Sequence, residues 1–102
     1  MLVGSTLTDN TAQLGGGLGA VGSLVVLNST LSANTALDSG GAIHYSSQVP
    51  GRVVNSTLTA NEADSDGAGG GNGGGVFVLN GSAAFSLANS IVAGNIDATP
   101  AG

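Results

Sequence analysis

Three short apolar runs recur along this chain, and in each the large side chains take alternate positions. The first run centres on Leu7, Leu31, Leu58 and Val92, each followed three residues later by Asn10, Asn34, Asn61 or Asn95. The second follows a glycine pair and reads Leu18-Gly-Ala20, Ile43-His-Tyr45 and Val76-Phe-Val78. The third is Leu24-Val-Val26, Gly51-Arg-Val53 and Phe85-Ser-Leu87, running into Asn28, Asn55 or Asn89. Alternation with period two marks strands with one buried face. Glycine interrupts every window long enough to hold a helical stripe. The pattern predicts an all-β chain.

Aligned on Asn10, Asn34, Asn61 and Asn95, the copies lie 24, 27 and 34 residues apart. The added residues fall where Gly, Ser and Asp cluster, the longest such stretch being Asp64–Gly75; these are loop residues. Three strands per period describe one coil of a parallel β-helix. A single coil cannot bury its own apolar face, so coils stack at about 4.8 Å. The expected coils span approximately 4–27, 28–54, 55–88 and 89–102, the last of them partial. Stacking would bring equivalent asparagines together in two amide ladders. One runs through Asn10, Asn34, Asn61 and Asn95, the other through Asn28, Asn55 and Asn89. Laddering would make Asn28 and Asn55 poor glycan acceptors although each opens a sequon, whereas the sequon at Asn80 sits on a turn.

The stretch Leu31-Ser-Ala-Asn34-Thr-Ala36, followed by Gly40-Gly41-Ala42-Ile43, resembles the repeat of bacterial right-handed β-helix surface proteins. It is especially similar to the polymorphic outer-membrane protein family, whose repeats pair Phe-x-x-Asn with Gly-Gly-Ala-Ile. Gly16-Gly17-Leu18 and Gly74-Gly75-Val76 are near-copies of the second half. In the first half Leu7, Leu31, Leu58 and Val92 stand where that family has Phe. The resemblance implies a right-handed parallel β-helix, a pectate-lyase-like solenoid of about three to four coils, in a secreted or outer-membrane, autotransporter-like surface protein. The pattern reaches both termini, so a fragment of a longer array is expected, with its export signal outside this chain. Open strand edges predict end-to-end self-association.

Charge narrows the partners. Asp9, Asp38, Glu62, Asp64, Asp66 and Asp97 face a single cation, Arg52, for a net charge of -5. Phosphate backbones need clustered Lys or Arg, so nucleic acid is not an expected partner. Cysteine is absent, which excludes disulfides and thiolate metal sites. No apolar run approaches the roughly 20 residues of a membrane helix, so direct membrane insertion is not expected.

Enzymes of this fold use a basic residue beside carboxylates, or two carboxylates across a cleft. Arg52 has no aligned carboxylate, and Asp38, Asp64 and Asp66 fall in the same turn of the repeat, so no catalytic residue is expected. Asp64-Ser-Asp66-Gly67 begins like an oxygen-ligand loop, which makes Asp64 and Asp66 candidate Ca²⁺ ligands; it lacks the later acidic ligand. His44 and Phe77 should face outward at one position of successive coils, where the pair could belong to a ligand or partner face. With Gly19 as the neighbour on the other side there is no third member, and incidental surface is the expected reading. Thr6/Thr8, Thr30/Ser32 and Thr57/Thr59 should form two outward ranks that fail at Ile91 and Ala93.

The expected role is a non-catalytic structural or adhesive segment whose turns, chiefly Glu62–Gly75, meet a protein or carbohydrate surface. The alternative is the non-catalytic part of a β-helical polysaccharide lyase or hydrolase whose active site lies outside this chain. A third reading is an ice- or carbohydrate-binding solenoid acting through the Thr ranks.

Overall fold

The structure, a computed structural model, describes residues 1–66, 72–79, 81–82 and 84–98; every regular element within them is a strand. The first coil holds β1 (Leu2–Val3), β2 (Thr6–Thr8), β3 (Thr11–Ala12) and β4 (Leu18–Ala20). The second holds β5 (Leu24–Leu27), β6 (Thr30–Ser32), β7 (Thr35–Ala36) and β8 (Ile43–Tyr45). The third holds β9 (Gly51–Val54), β10 (Thr57–Thr59), β11 (Glu62–Ala63) and β12 (Val76–Val78). A fourth begins with β13 (Phe85–Ala88), β14 (Ile91–Ala93) and β15 (Ile96–Asp97). Equivalent strands pair in parallel to give sheet A (β1-β5-β9-β13), sheet B (β2-β6-β10-β14), sheet C (β3-β7-β11-β15) and sheet D (β4-β8-β12). The chain visits A, B, C and D in turn and then starts again one strand over. The fold is all-β, a solenoid-like stack of four parallel sheets in register.

Sheet C has no counterpart in the apolar pattern. Its strands are two residues long and follow directly after Asn10, Asn34, Asn61 and Asn95, too short for alternation to show. The glycine pairs also align one residue earlier than the sequence suggests. Leu18, Ile43 and Val76 are in register, so Gly15-Gly16, Gly40-Gly41 and Gly73-Gly74 are the equivalent pairs. The first glycine of each has φ between 64° and 75°, the left-handed region. The second has no room for a side chain: a Cβ on Gly16 would lie 2.5 Å from the Gly41 oxygen of the next coil.

Register puts like on like inside the stack. Leu7, Leu31, Leu58 and Val92 form one rank, and Leu31 and Leu58 have no exposed surface. With Leu24, Val26, Ile43, Tyr45 and Val53 they form the core, each large side chain worth roughly 1.5–3 kcal/mol of burial. One size exchange departs from this regularity. Gly51 separates Leu24 from Phe85 in sheet A, and the Tyr45 ring from sheet D fills the gap. A Cβ on Gly51 would lie 2.7 Å from Tyr45 Cε2. The Tyr45 and Phe85 rings stand 5.0 Å apart at 53°, and the Tyr45 hydroxyl donates to the Val49 carbonyl. Coverage ends with the stack, where Val92 is 44% and Ile91 61% exposed.

Two side-chain ladders hold the corners. Between sheets B and C, the side-chain amides of Asn10, Asn34 and Asn61 donate to Asn34, Asn61 and Asn95 Oδ1 at 3.0, 3.0 and 2.8 Å. Each acceptor oxygen also takes the backbone N–H of the preceding asparagine, and Asn34, Asn61 and Asn95 Nδ2 reach back to the Leu7, Leu31 and Leu58 carbonyls. Asn34 thereby uses both donors and both lone pairs of its amide.

Between sheets A and B the expected Asn28, Asn55 and Asn89 ladder is replaced by serine. Ser5, Ser29 and Ser56 N–H groups donate to Ser29, Ser56 and Ser90 Oγ at 3.2, 3.1 and 3.1 Å, while each of those hydroxyls donates to the carbonyl two residues back. Asn28, Asn55 and Asn89 are exposed with φ near 50°. They are there because asparagine tolerates the left-handed turn, and exposure removes the reason for discounting the Asn28 and Asn55 sequons.

Candidate functional site

The outer face of sheet D is a groove. Its floor is the rank Gly19, His44, Phe77, in register on three successive coils. One wall comes from the turn between sheets C and D, where Leu14, Ser39 and Asn72 occupy equivalent places ahead of the glycine pairs, joined by Asp38. The other wall is the residue after each D strand: Val21, Ser46 and Leu79. The groove is open to solvent along its length and has a volume of about 560 Å³, within the range of small-ligand sites.

The walls are built, not loose. Gly15 and Gly40 N–H groups donate to the Ser39 and Asn72 carbonyls at 3.0 and 2.9 Å, stacking the turn of each coil on the next. The Ser39 hydroxyl accepts from the Asn72 N–H at 3.0 Å and donates to Asp38 Oδ1 at 2.8 Å. Opposite, Ser46 and Leu79 N–H groups donate to the Ala20 and Tyr45 carbonyls, both at 2.9 Å. The middle coil thus contributes a polar belt of Asp38, Ser39, His44 and Ser46. The first coil contributes Leu14 and Val21, and the third Asn72, Phe77 and Leu79.

Alternation alone makes His44 plain surface, and the walls change that. It is 8% exposed, and its ring lies 5.3 Å from the Phe77 ring at 34°. No hydrogen bond reaches the imidazole among the described residues, yet no fully buried side-chain nitrogen among them lacks a partner. Its ring nitrogens therefore open into the groove. The groove escapes a reading of apolar periodicity because its walls come from turns. The equal offset of Leu14, Ser39 and Asn72 ahead of their glycine pairs is the sequence signal that marks them.

Other expected features lie elsewhere. Asp64 is 1% exposed with φ 52°, Asp66 is exposed, and the Asp64 N–H donates to the Asp38 carbonyl at 2.7 Å. No group of three His, Cys, Asp or Glu residues able to hold a metal occurs among the described residues. Gly67, the rest of the loop to position 71, and Asn80, the acceptor of the third sequon, lie outside those residues. Arg52 is exposed on sheet A between Val25 and Ser86. The Thr ranks are in register on sheet B, with the Ser32 hydroxyl 3.3 Å from that of Thr8, and they give way to Ile91 and Ala93. No helix of the described residues is long and apolar enough to cross a membrane.

Searches of protein families, characterised proteins and solved structures match nothing to this chain.

Proposed function

We propose that this chain is a non-catalytic segment of an exported surface solenoid, a right-handed parallel β-helix whose sheet D side meets the partner. The observation that carries this reading is where the coils keep their length and where they do not. Leu24 to Thr30, Gly51 to Thr57 and Phe85 to Ile91 are equal steps from sheet A to B. Thr30 to Thr35, Thr57 to Glu62 and Ile91 to Ile96 are equal steps from B to C. By contrast Ala12–Leu18, Ala36–Ile43 and Ala63–Val76 lengthen from coil to coil, as do the returns from sheet D to A. Insertions are accepted where the groove walls are, and nowhere on the A-to-C run. Right-handed crossovers between parallel strands are the rule, which supports the handedness.

The test is adhesion to immobilised matrix proteins and polysaccharides. Alanine changes at Leu14, Ser46 and Leu79 should abolish binding, while Thr8→Ala and Thr59→Ala leave it intact. Loss through the Thr changes alone would move recognition to sheet B. Release of reducing ends from a polysaccharide would replace this reading with the enzymatic one.

A further inference from the structure

We infer that the sheet D groove takes a cationic side chain, a guanidinium or ammonium flanked by apolar residues, presented by a protein partner. This rests on the reading of the D side as the recognition face and names the chemistry it would recognise.

Charge is the first argument. Asp38 is the one carboxylate among the described lining residues, and no Lys or Arg is among them. The chain as a whole carries -5, and Asp64 and Asp66 follow the C strand of the next coil as Asp38 follows its own. An anion would meet repulsion here, and a cation would be drawn in.

His44 is the second and independent argument. It is more than nine-tenths buried, without a hydrogen-bond partner among the described residues, and its ring nitrogens open into the groove. A neutral imidazole has one nitrogen that accepts a hydrogen bond. A guanidinium or ammonium carries several N–H donors, enough to meet both His44 and Asp38, and charge-assisted bonds of this kind are the strong ones.

Shape is the third. The polar belt lies in the middle coil, with Phe77 and Leu79 beside Asn72 on one side and Leu14 and Val21 on the other. An aliphatic stem can lie along Phe77 while its charged head reaches the belt, and a cation beside an aromatic face gains further attraction. Gly19 leaves the floor open, since a Cβ there would meet nothing nearer than the Leu14 oxygen at 3.8 Å.

The test is an NMR titration with the capped tripeptide Ac-Leu-Arg-Leu-amide, against the same peptide carrying citrulline, which keeps the shape and removes the charge. His44 is the sole histidine, so its ring signals are unambiguous. Saturable shifts at His44 and Phe77 are expected, with citrulline at least tenfold weaker. Asp38→Asn should weaken the arginine peptide at least tenfold, and Asp9→Asn should not. Equal binding of the two peptides, or no shift at His44, would overturn the proposal. So would a saturable His44 shift with maltotriose but not with the arginine peptide, which would indicate a sugar site. The citrulline comparison needs no variant, so it decides the matter even if Asp38→Asn does not fold. Arginine binding without adhesion would fault the adhesive role alone.

Discussion

The run from sheet A to sheet C and the side around sheet D are made from the same repeat, yet they obey different rules. On the first, every corner has one left-handed residue and one polar residue, Ser or Asn, hydrogen-bonded to its copy in the neighbouring coil through a side-chain oxygen. A residue inserted there would break the register of a whole ladder, and no coil carries one. On the second, the fixed points are the glycine pairs and the three-residue D strands, and the chain between them varies in length. The lesson is a division of labour within one coil: the ladders hold the stack, which leaves the D side able to change.

The sharpest way to break that contrast is Asn34→Ala. It removes every bond of the Asn34 side-chain amide, including those to the Leu7 carbonyl and the buried Asn61 Oδ1. The backbone N–H of residue 34 still meets Asn61, and the exposed Asn10 turns to water. Buried groups that lose a partner cost about 1–3 kcal/mol each. A loss of about 3 kcal/mol or more in urea unfolding is expected, while Gln48→Ala and Leu37→Ala on the D side should stay within about 0.5 kcal/mol. Similar losses at both sites would dissolve the distinction.

A smaller effect tests the seam between the two regions. Gly51→Ala should cost about 1–3 kcal/mol by crowding Tyr45. Combined with Tyr45→Val it should cost less than the two changes summed, by about 1 kcal/mol. Strict additivity would mean that the ring does not occupy the space left by Gly51.

The smallest change has the opposite sign. Ala60 is held at φ 56°, where a side chain is strained, so Ala60→Gly should raise stability by about 0.5 kcal/mol despite the freer unfolded chain. A fall in the thermal midpoint would show that the corner is less constrained than its dihedral implies.

Much of the stack is legible in the sequence. The equal places of Leu7, Leu31 and Leu58, with an asparagine three residues on, announce stacking because parallel coils put equal residues in register. What stays hidden has physical reasons. Ser29 and Ser56 are not marked out, since nothing in the sequence distinguishes a buried serine from a solvated one. Asn28 and Asn55 look like ladder residues, since asparagine serves both for amide stacking and for positive φ. His44 looks exposed because alternation sets which face of a strand a side chain takes, and is silent about what turns build above that face.

The ladders also have a direction. In every Ser and Asn rank the side-chain oxygen belongs to the later coil, and the backbone N–H that it accepts belongs to the earlier one. The stack is therefore a vector, with unlike faces fore and aft. Whatever extends it must match acceptor to donor, so two copies joined by a two-fold axis would set oxygen against oxygen, or N–H against N–H. Any end-to-end growth by this route would be heterologous, head to tail, and not the isologous pairing of a two-fold dimer.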